Sequence, residues 1–104
     1  YDVICSDDRE INNRNNKCKE TKASVNFENC SFDENYGSDR LEVIWTDTEY
    51  TPDQNTFYYA RAIENPTCRW STYDSIRIDE KPAKNYPKIM REMAWSSPIW
   101  IKNN

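Results

Sequence analysis

The chain has 104 residues, room for one domain, yet Leu, Ile, Val and Phe together number only 16, about 15% and below the roughly 20% at which a self-made core becomes doubtful. Four Trp, seven Tyr and three Phe with a net charge of only −4 argue against a disordered tail, because each aromatic can bury a large area. The same acidic balance argues against a nucleic-acid partner, and no run approaches the roughly 18 apolar residues of a membrane span.

In chain order, residues 1–5 alternate loosely as a strand would, and residues 7–20, rich in Asn and charge, read as an exposed loop. Residues 23–30 set Ala23, Val25 and Phe27 against Ser24, Asn26 and Glu28, the pattern of a half-buried strand. Residues 32–40 hold the only glycine, Gly37, and form a turn. Residues 41–46 alternate again, with Ile44 making the second face apolar too, which predicts burial on both sides. After a Pro-containing acidic loop at 47–55, residues 56–64 place Phe57, Tyr59, Arg61 and Ile63 on one face and Tyr58, Ala60, Ala62 and Glu64 on the other, until Pro66 stops the strand. Ser71 or Thr72 is placed to cap one helical turn through Ile76. Residues 79–88, with Pro82 and Pro87, read as an extended connector, and residues 91–101 as a strand interrupted at Pro98. The expectation is a mostly β, Ig-like or partial β-sandwich of about five short strands, with long loops and one short helical turn, over residues 1–104.

Cys5, Cys18, Cys30 and Cys68 include no Cys-x-x-Cys pair, and there is no histidine. A zinc site would therefore need thiolates from four separated positions. Disulfides are the better use and imply an oxidising compartment, periplasmic or extracellular. Four free thiols in a reducing compartment is the other reading. Of three connectivities, Cys5–Cys18 with Cys30–Cys68 is favoured. The first closes a polar loop, and the second ties a strand end to the turn after residues 56–64. Asn29-Cys30-Ser31 fits a glycosylation sequon, with its middle residue committed if that disulfide forms.

Arg61 on an apolar face is either paired, with Glu64, Asp74 or Glu92 within reach along the chain, or contacts an anion at a cleft edge, because burying it alone is costly. Arg69 beside Trp70, and the Arg91 segment leading to Trp95, pose the same choice, since a guanidinium stacks on an indole. Asp47, Glu49 and Asp53 alternate like calcium ligands, but calcium wants six to eight oxygens and an acidic turn explains them as well. With no histidine, no Gly-rich loop and no nucleophile motif, no catalytic or metal-ligating residue is assigned.

The runs ENPTCRWSTYD and AWSSPIW, with the preceding VIWTDTEYTPDQN, resemble the C-terminal end of a large bacterial family catalogued as domain of unknown function 3604, over nearly the whole chain. That family is itself similar to the polymerase-and-histidinol-phosphatase (PHP) group of metal-dependent hydrolases. One departure is the stretch Asp47-Thr48-Glu49-Tyr50-Thr51-Pro52, poorer in proline and acid than relatives at that point. The resemblance implies a structural, accessory segment at the C-terminal end of a longer, phosphoesterase-like protein. It places the divalent metal and its His-x-His motif in the missing part, with the remainder of that polypeptide or a companion chain as partner. Arg61, Glu64, Arg69, Trp70 and Arg91 are then the candidates for reaching substrate. The rival expectation is a free-standing, disulfide-stapled extracellular binding module that stacks ligands on exposed aromatics.

Overall fold

The computed structural model describes residues 1–81 and 85–103. Its elements are β1 (Ile11–Asn12), β2 (Lys17–Cys18), β3 (Thr56–Tyr58), β4 (Arg61–Ile63), β5 (Thr67–Cys68), α1 (Trp70–Arg77), β6 (Ile89–Met90), β7 (Met93–Trp95) and β8 (Ile99–Ile101). The architecture is mostly β, with short strands, one short helix and long loops. The strands form four antiparallel two-stranded ladders, β1–β2, β3–β8, β4–β7 and β5–β6.

The last three ladders follow one another along a single two-stranded ribbon. Thr56 pairs with Ile101 and Tyr58 with Ile99, Arg61 with Trp95 and Ile63 with Met93, and Thr67 with Met90 and Cys68 with Ile89. Between the first two ladders Tyr59 and Ala60 face three residues, 96–98. Between the second and third, three residues, 64–66, face Arg91 and Glu92. These are two bulges of opposite sense, so the register slips by one residue and then recovers. A side chain serves in each. The Ser96 hydroxyl accepts from the Ala60 amide at 2.8 Å while the Ser96 amide donates to the Ala60 carbonyl. The Arg91 Nε donates to the Glu64 carbonyl at 3.1 Å, beside a backbone bond from the Glu64 amide to the Glu92 carbonyl. Pro66 and Pro98 fall inside the bulged stretches, where a missing amide breaks no ladder bond.

The helix runs two turns rather than the expected one, and neither expected hydroxyl caps it. Arg69 is the N-cap, without a side-chain cap bond. Thr72 instead donates its hydroxyl to the Lys88 carbonyl at 2.8 Å, fastening α1 to the entry of β6. At the other end the Glu80 amide bonds to the Ser75 carbonyl and the Asp79 amide to the Ile76 carbonyl, with Asp79 at φ 53°. This is a Schellman closure with aspartate where glycine is usual. The connector expected over 79–88 therefore starts as a helix cap, and Pro82 lies outside the described residues.

The first half differs more from expectation. Residues 1–5 and 41–46 form no strand, and residues 23–30 contribute only an isolated bridge, Val25 with Phe32. Asn26 and Asn29 explain the latter, because each side chain captures the amide two residues on and bends the backbone out of the extended path. Ile44, expected to be buried, is 97% exposed. In the hairpin of β1 and β2, Asn12 and Asn15 turn the chain in the same way.

Among the described residues only Ser6, Cys30, Pro66, Cys68 and Thr72 are buried. The core is thus the Cys30–Cys68 disulfide, which ties the segment before residue 31 to β5, the ribbon strand next to α1. The radius of gyration is 18.4 Å, against about 13 Å for a compact domain of this length.

Candidate functional site

The second disulfide is Cys5–Cys18, and no cysteine is free. All four sulfurs are therefore committed, and no thiolate is left for the four-cysteine zinc site. Two disulfides suit an oxidising, extracellular type of environment. Among the described residues no helix is long and apolar enough to cross a membrane.

The chemistry-bearing candidates spread along the ribbon rather than converging. Arg61 stands exposed on β4, directly opposite Trp95, and among the described residues it has neither an ion pair nor a hydrogen bond from its side chain. Asp74, one expected partner, pairs with Arg77 instead. Glu64 and Arg91 do meet, but through the Glu64 carbonyl at the second bulge and not through its carboxylate. Arg69 serves α1: its carbonyl accepts the amides of Thr72 and Tyr73, and its own amide donates to the Lys88 carbonyl. Trp70 starts the helix, 69% exposed. The cation–π contact among the described residues is Lys88 over Phe27, 5.3 Å from the ring centroid, not Arg69 over Trp70.

The ribbon has two faces, because directly opposed residues of an antiparallel pair lie on the same side. One face bears Tyr58, where residues 45–47 reach it, while Ile99, opposite Tyr58 on the same face, is 67% exposed. The Trp45 ring meets Tyr58 edge-on at 6.3 Å and Tyr1 at 6.1 Å. The Tyr58 hydroxyl donates to Asp47 Oδ2 at 2.6 Å, and Asp47 Oδ1 accepts the Glu49 amide. The tyrosine's hydrogen bond, then the backbone amide, hold the Asp47 carboxyl below its usual range; the carboxylate in turn pushes the Tyr58 phenol up to about 12. The acidic loop that resembled a calcium loop is thereby a clasp, and among the described residues no group of three His, Cys, Asp or Glu side chains could hold a metal ion. Sequence reasoning missed this clasp because nothing local links Asp47 to a tyrosine eleven residues on.

The other face is uncovered among the described residues. Phe57 lies 5.0 Å from Trp100 and 6.3 Å from Tyr59, centroid to centroid, and Phe57, Tyr59, Trp95 and Trp100 are 51%, 55%, 60% and 63% exposed.

Fold and surface together define a class: a disulfide-stapled β-ribbon segment with exposed aromatics on one face and a tyrosine–carboxylate clasp on the other. A profile of the family described as protein of unknown function, DUF3604, matches residues 1–103, and the chain belongs to that family. No curated protein and no solved structure matches it.

Proposed function

We propose that this chain is the structural C-terminal part of a larger, periplasmic or secreted metal-dependent hydrolase, phosphoesterase-like by analogy with the PHP group, and that it completes that protein's fold without supplying catalytic groups. The observation that carries the accessory role is surface. A self-contained globule of this mass exposes about 6,100 Å², whereas the chain exposes 9284 Å². The excess of about 3,100 Å² is several times the roughly 800 Å² that one partner contributes to a standard interface. A divalent metal does not fit the residues present, because the chain has no histidine, its cysteines are bonded to one another, and its described carboxylates do not cluster. The metal and the hydrolytic step therefore belong to the remainder of the proposed parent, and that assignment rests on the family resemblance.

The test compares the full-length protein, the same protein lacking these 104 residues, and the isolated oxidised segment. The isolated segment is expected to melt without a cooperative transition and to bind a hydrophobic dye. The truncated protein is expected to lose its cooperative melt. The full-length protein should carry a divalent metal by elemental analysis and hydrolyse p-nitrophenyl phosphate. A monomeric isolated segment with one sharp transition would overturn the accessory role in favour of a free-standing binding module. A metal-free full-length protein inert to phosphate esters would remove the hydrolase assignment.

A further inference from the structure

We propose that Cys5–Cys18 is a reducible latch: a dithiol reductant opens it while Cys30–Cys68 stays closed, and residues 1–5 then come away from the β1–β2 hairpin. Such a latch stands whether or not the chain completes a larger fold.

The two disulfides differ first in access. Cys30 and Cys68 are each 3% exposed, whereas Cys5 and Cys18 are half-buried. Reduction needs a thiolate to reach one sulfur and expel the other, so its rate follows access as well as the acidity of the departing thiol. Lys17 and Lys19 flank Cys18, and cations there would ease departure of its thiolate. Asp2 and Glu10 pair with them, however. Access is therefore what separates the two bonds.

At the accessible bond, a thiolate of the dithiol joins one cysteine as a mixed disulfide, and the other sulfur leaves with the electron pair of the broken S–S bond. The reductant's second thiol then displaces the first cysteine. Two electrons and two protons have passed to the protein, which holds two thiols, and the reductant carries the disulfide.

What the bond holds decides what its opening does. Residues 1–5 form no strand. Beside the disulfide, they meet the hairpin through the Asp2 amide on the Asn16 carbonyl at 2.8 Å, the Cys18 amide on the Asp2 carboxylate at 2.8 Å and a Lys17–Asp2 ion pair at 3.6 Å. Each such tie contributes little in water, so the covalent link dominates. Opening stops at Ser6. Arg9 donates Nε to the Ser6 carbonyl at 3.1 Å, Nη2 to the Ser6 hydroxyl at 3.2 Å and Nη1 to the Lys19 carbonyl at 2.8 Å. That clamp fastens the buried Ser6 to the residue after β2 without using sulfur. Just beyond it the Asp7 carboxylate accepts the Gly37 amide, so the link onward to residue 37 survives. The released segment takes Tyr1 away from the Trp45 ring, now 6.1 Å from it.

The full-length protein is treated with graded dithiothreitol, quenched with iodoacetamide without denaturant, and each cysteine is read by peptide mass spectrometry. Cys5 and Cys18 are expected to be labelled at least about tenfold faster than Cys30 and Cys68. Amide exchange in residues 2–5 and at Cys18 should then rise by about a hundredfold, as loss of a short closed loop implies. Residues 6–9 and the ribbon should not change, and reoxidation should restore the slow exchange. Arg9→Ala, once reduced, should spread the faster exchange to residues 6–9. Labelling of all four cysteines together, or of Cys30 and Cys68 first, would overturn the order of opening. Selective labelling with unchanged exchange in residues 2–5 would overturn the latch, because the hydrogen bonds alone would then hold the segment. Faster exchange at residues 6–9 in the reduced protein with Arg9 intact would overturn the stop at Ser6.

Discussion

Residues 1–46 and the ribbon of residues 56–101 are held together by different means. The first region contains one two-residue ladder and the isolated Val25–Phe32 bridge, and much of the rest is shaped by side chains bonding to backbone amides. Asn12, Asn15, Asn26, Asn29 and Asp33 each accept the amide two residues on, and Asp2 accepts the Cys18 amide at 2.8 Å. The second region is shaped by backbone bonds between residues about 20 to 45 positions apart. Local capture of amides yields a defined path without an apolar interior, whereas cross-strand pairing yields a platform whose apolar faces must be covered by something. The first region reaches one face at Tyr58, through Trp45 and Asp47, and both faces keep exposed apolar side chains.

Disulfide removal should break this comparison most visibly, because Cys30–Cys68 joins the two regions and Cys5–Cys18 lies within the first. Their sequence separations are 38 and 13, and loop-closure entropy assigns them about 4 and about 3 kcal/mol. In the full-length protein, replacing Cys30 and Cys68 by Ala should accelerate amide exchange in both regions. Replacing Cys5 and Cys18 should leave the ribbon unchanged. If both pairs act only on residues 1–46, the two regions are not coupled through the buried disulfide.

Gly37 sharpens the comparison at the junction. Its φ of 103° disfavours any residue with a Cβ, and an added Cβ would sit 2.9 Å from Asn65 Nδ2, the atom that donates to the Tyr36 carbonyl. Its amide also donates to the Asp7 carboxylate at 3.0 Å. Gly37→Ala should cost about 1–2 kcal/mol, read as faster exchange at both residues 33–37 and residues 5–9. Within the second region, Asp79→Gly relieves a left-handed aspartate and should stabilise the end of α1 by about 0.5–1 kcal/mol. Faster exchange in α1 would contradict the Schellman assignment.

The smallest effect is a titration. Tyr58, raised from its ordinary 10 to about 12, favours the folded state through its bond to Asp47 while the phenol is protonated. Its contribution is therefore whole below pH 10 and lost as pH rises through about 12. Asp47, lowered from 3.8, contributes above its ordinary value and loses that contribution as pH falls through its lowered one. Tyrosinate absorbance should reveal one phenol ionising near 12, and Tyr58→Phe should remove that step and return the Asp47 carboxyl toward its ordinary value by NMR titration. A Tyr58 phenol that ionises near its ordinary 10 would show that the clasp does not form.

Much of the ribbon was legible in the chain. The alternation from Phe57 to Ile63 and the break at Pro98 mark strands at the right places, because period two and missing amides are local properties. The strands expected at 23–30 and 41–46 fail for the converse reason, since alternation without a facing partner does not bind, and Asn26 and Asn29 offer the amides a nearer acceptor. Among the site candidates, the meeting of Glu64 and Arg91 was not foreseeable, because it runs through a backbone carbonyl exposed by a bulge.

By itself the sequence determined that apolar side chains are too few for a closed interior, that cysteines are even in number and histidine absent, and that aromatics are concentrated near residues 57–59 and 95–100. Tertiary structure alone decided which aromatics share a face and which carboxylate meets Tyr58. The physical reason is parity: one extra residue in a bulge inverts every side chain beyond it, and no local pattern records where that residue will fall until the opposite strand is in place.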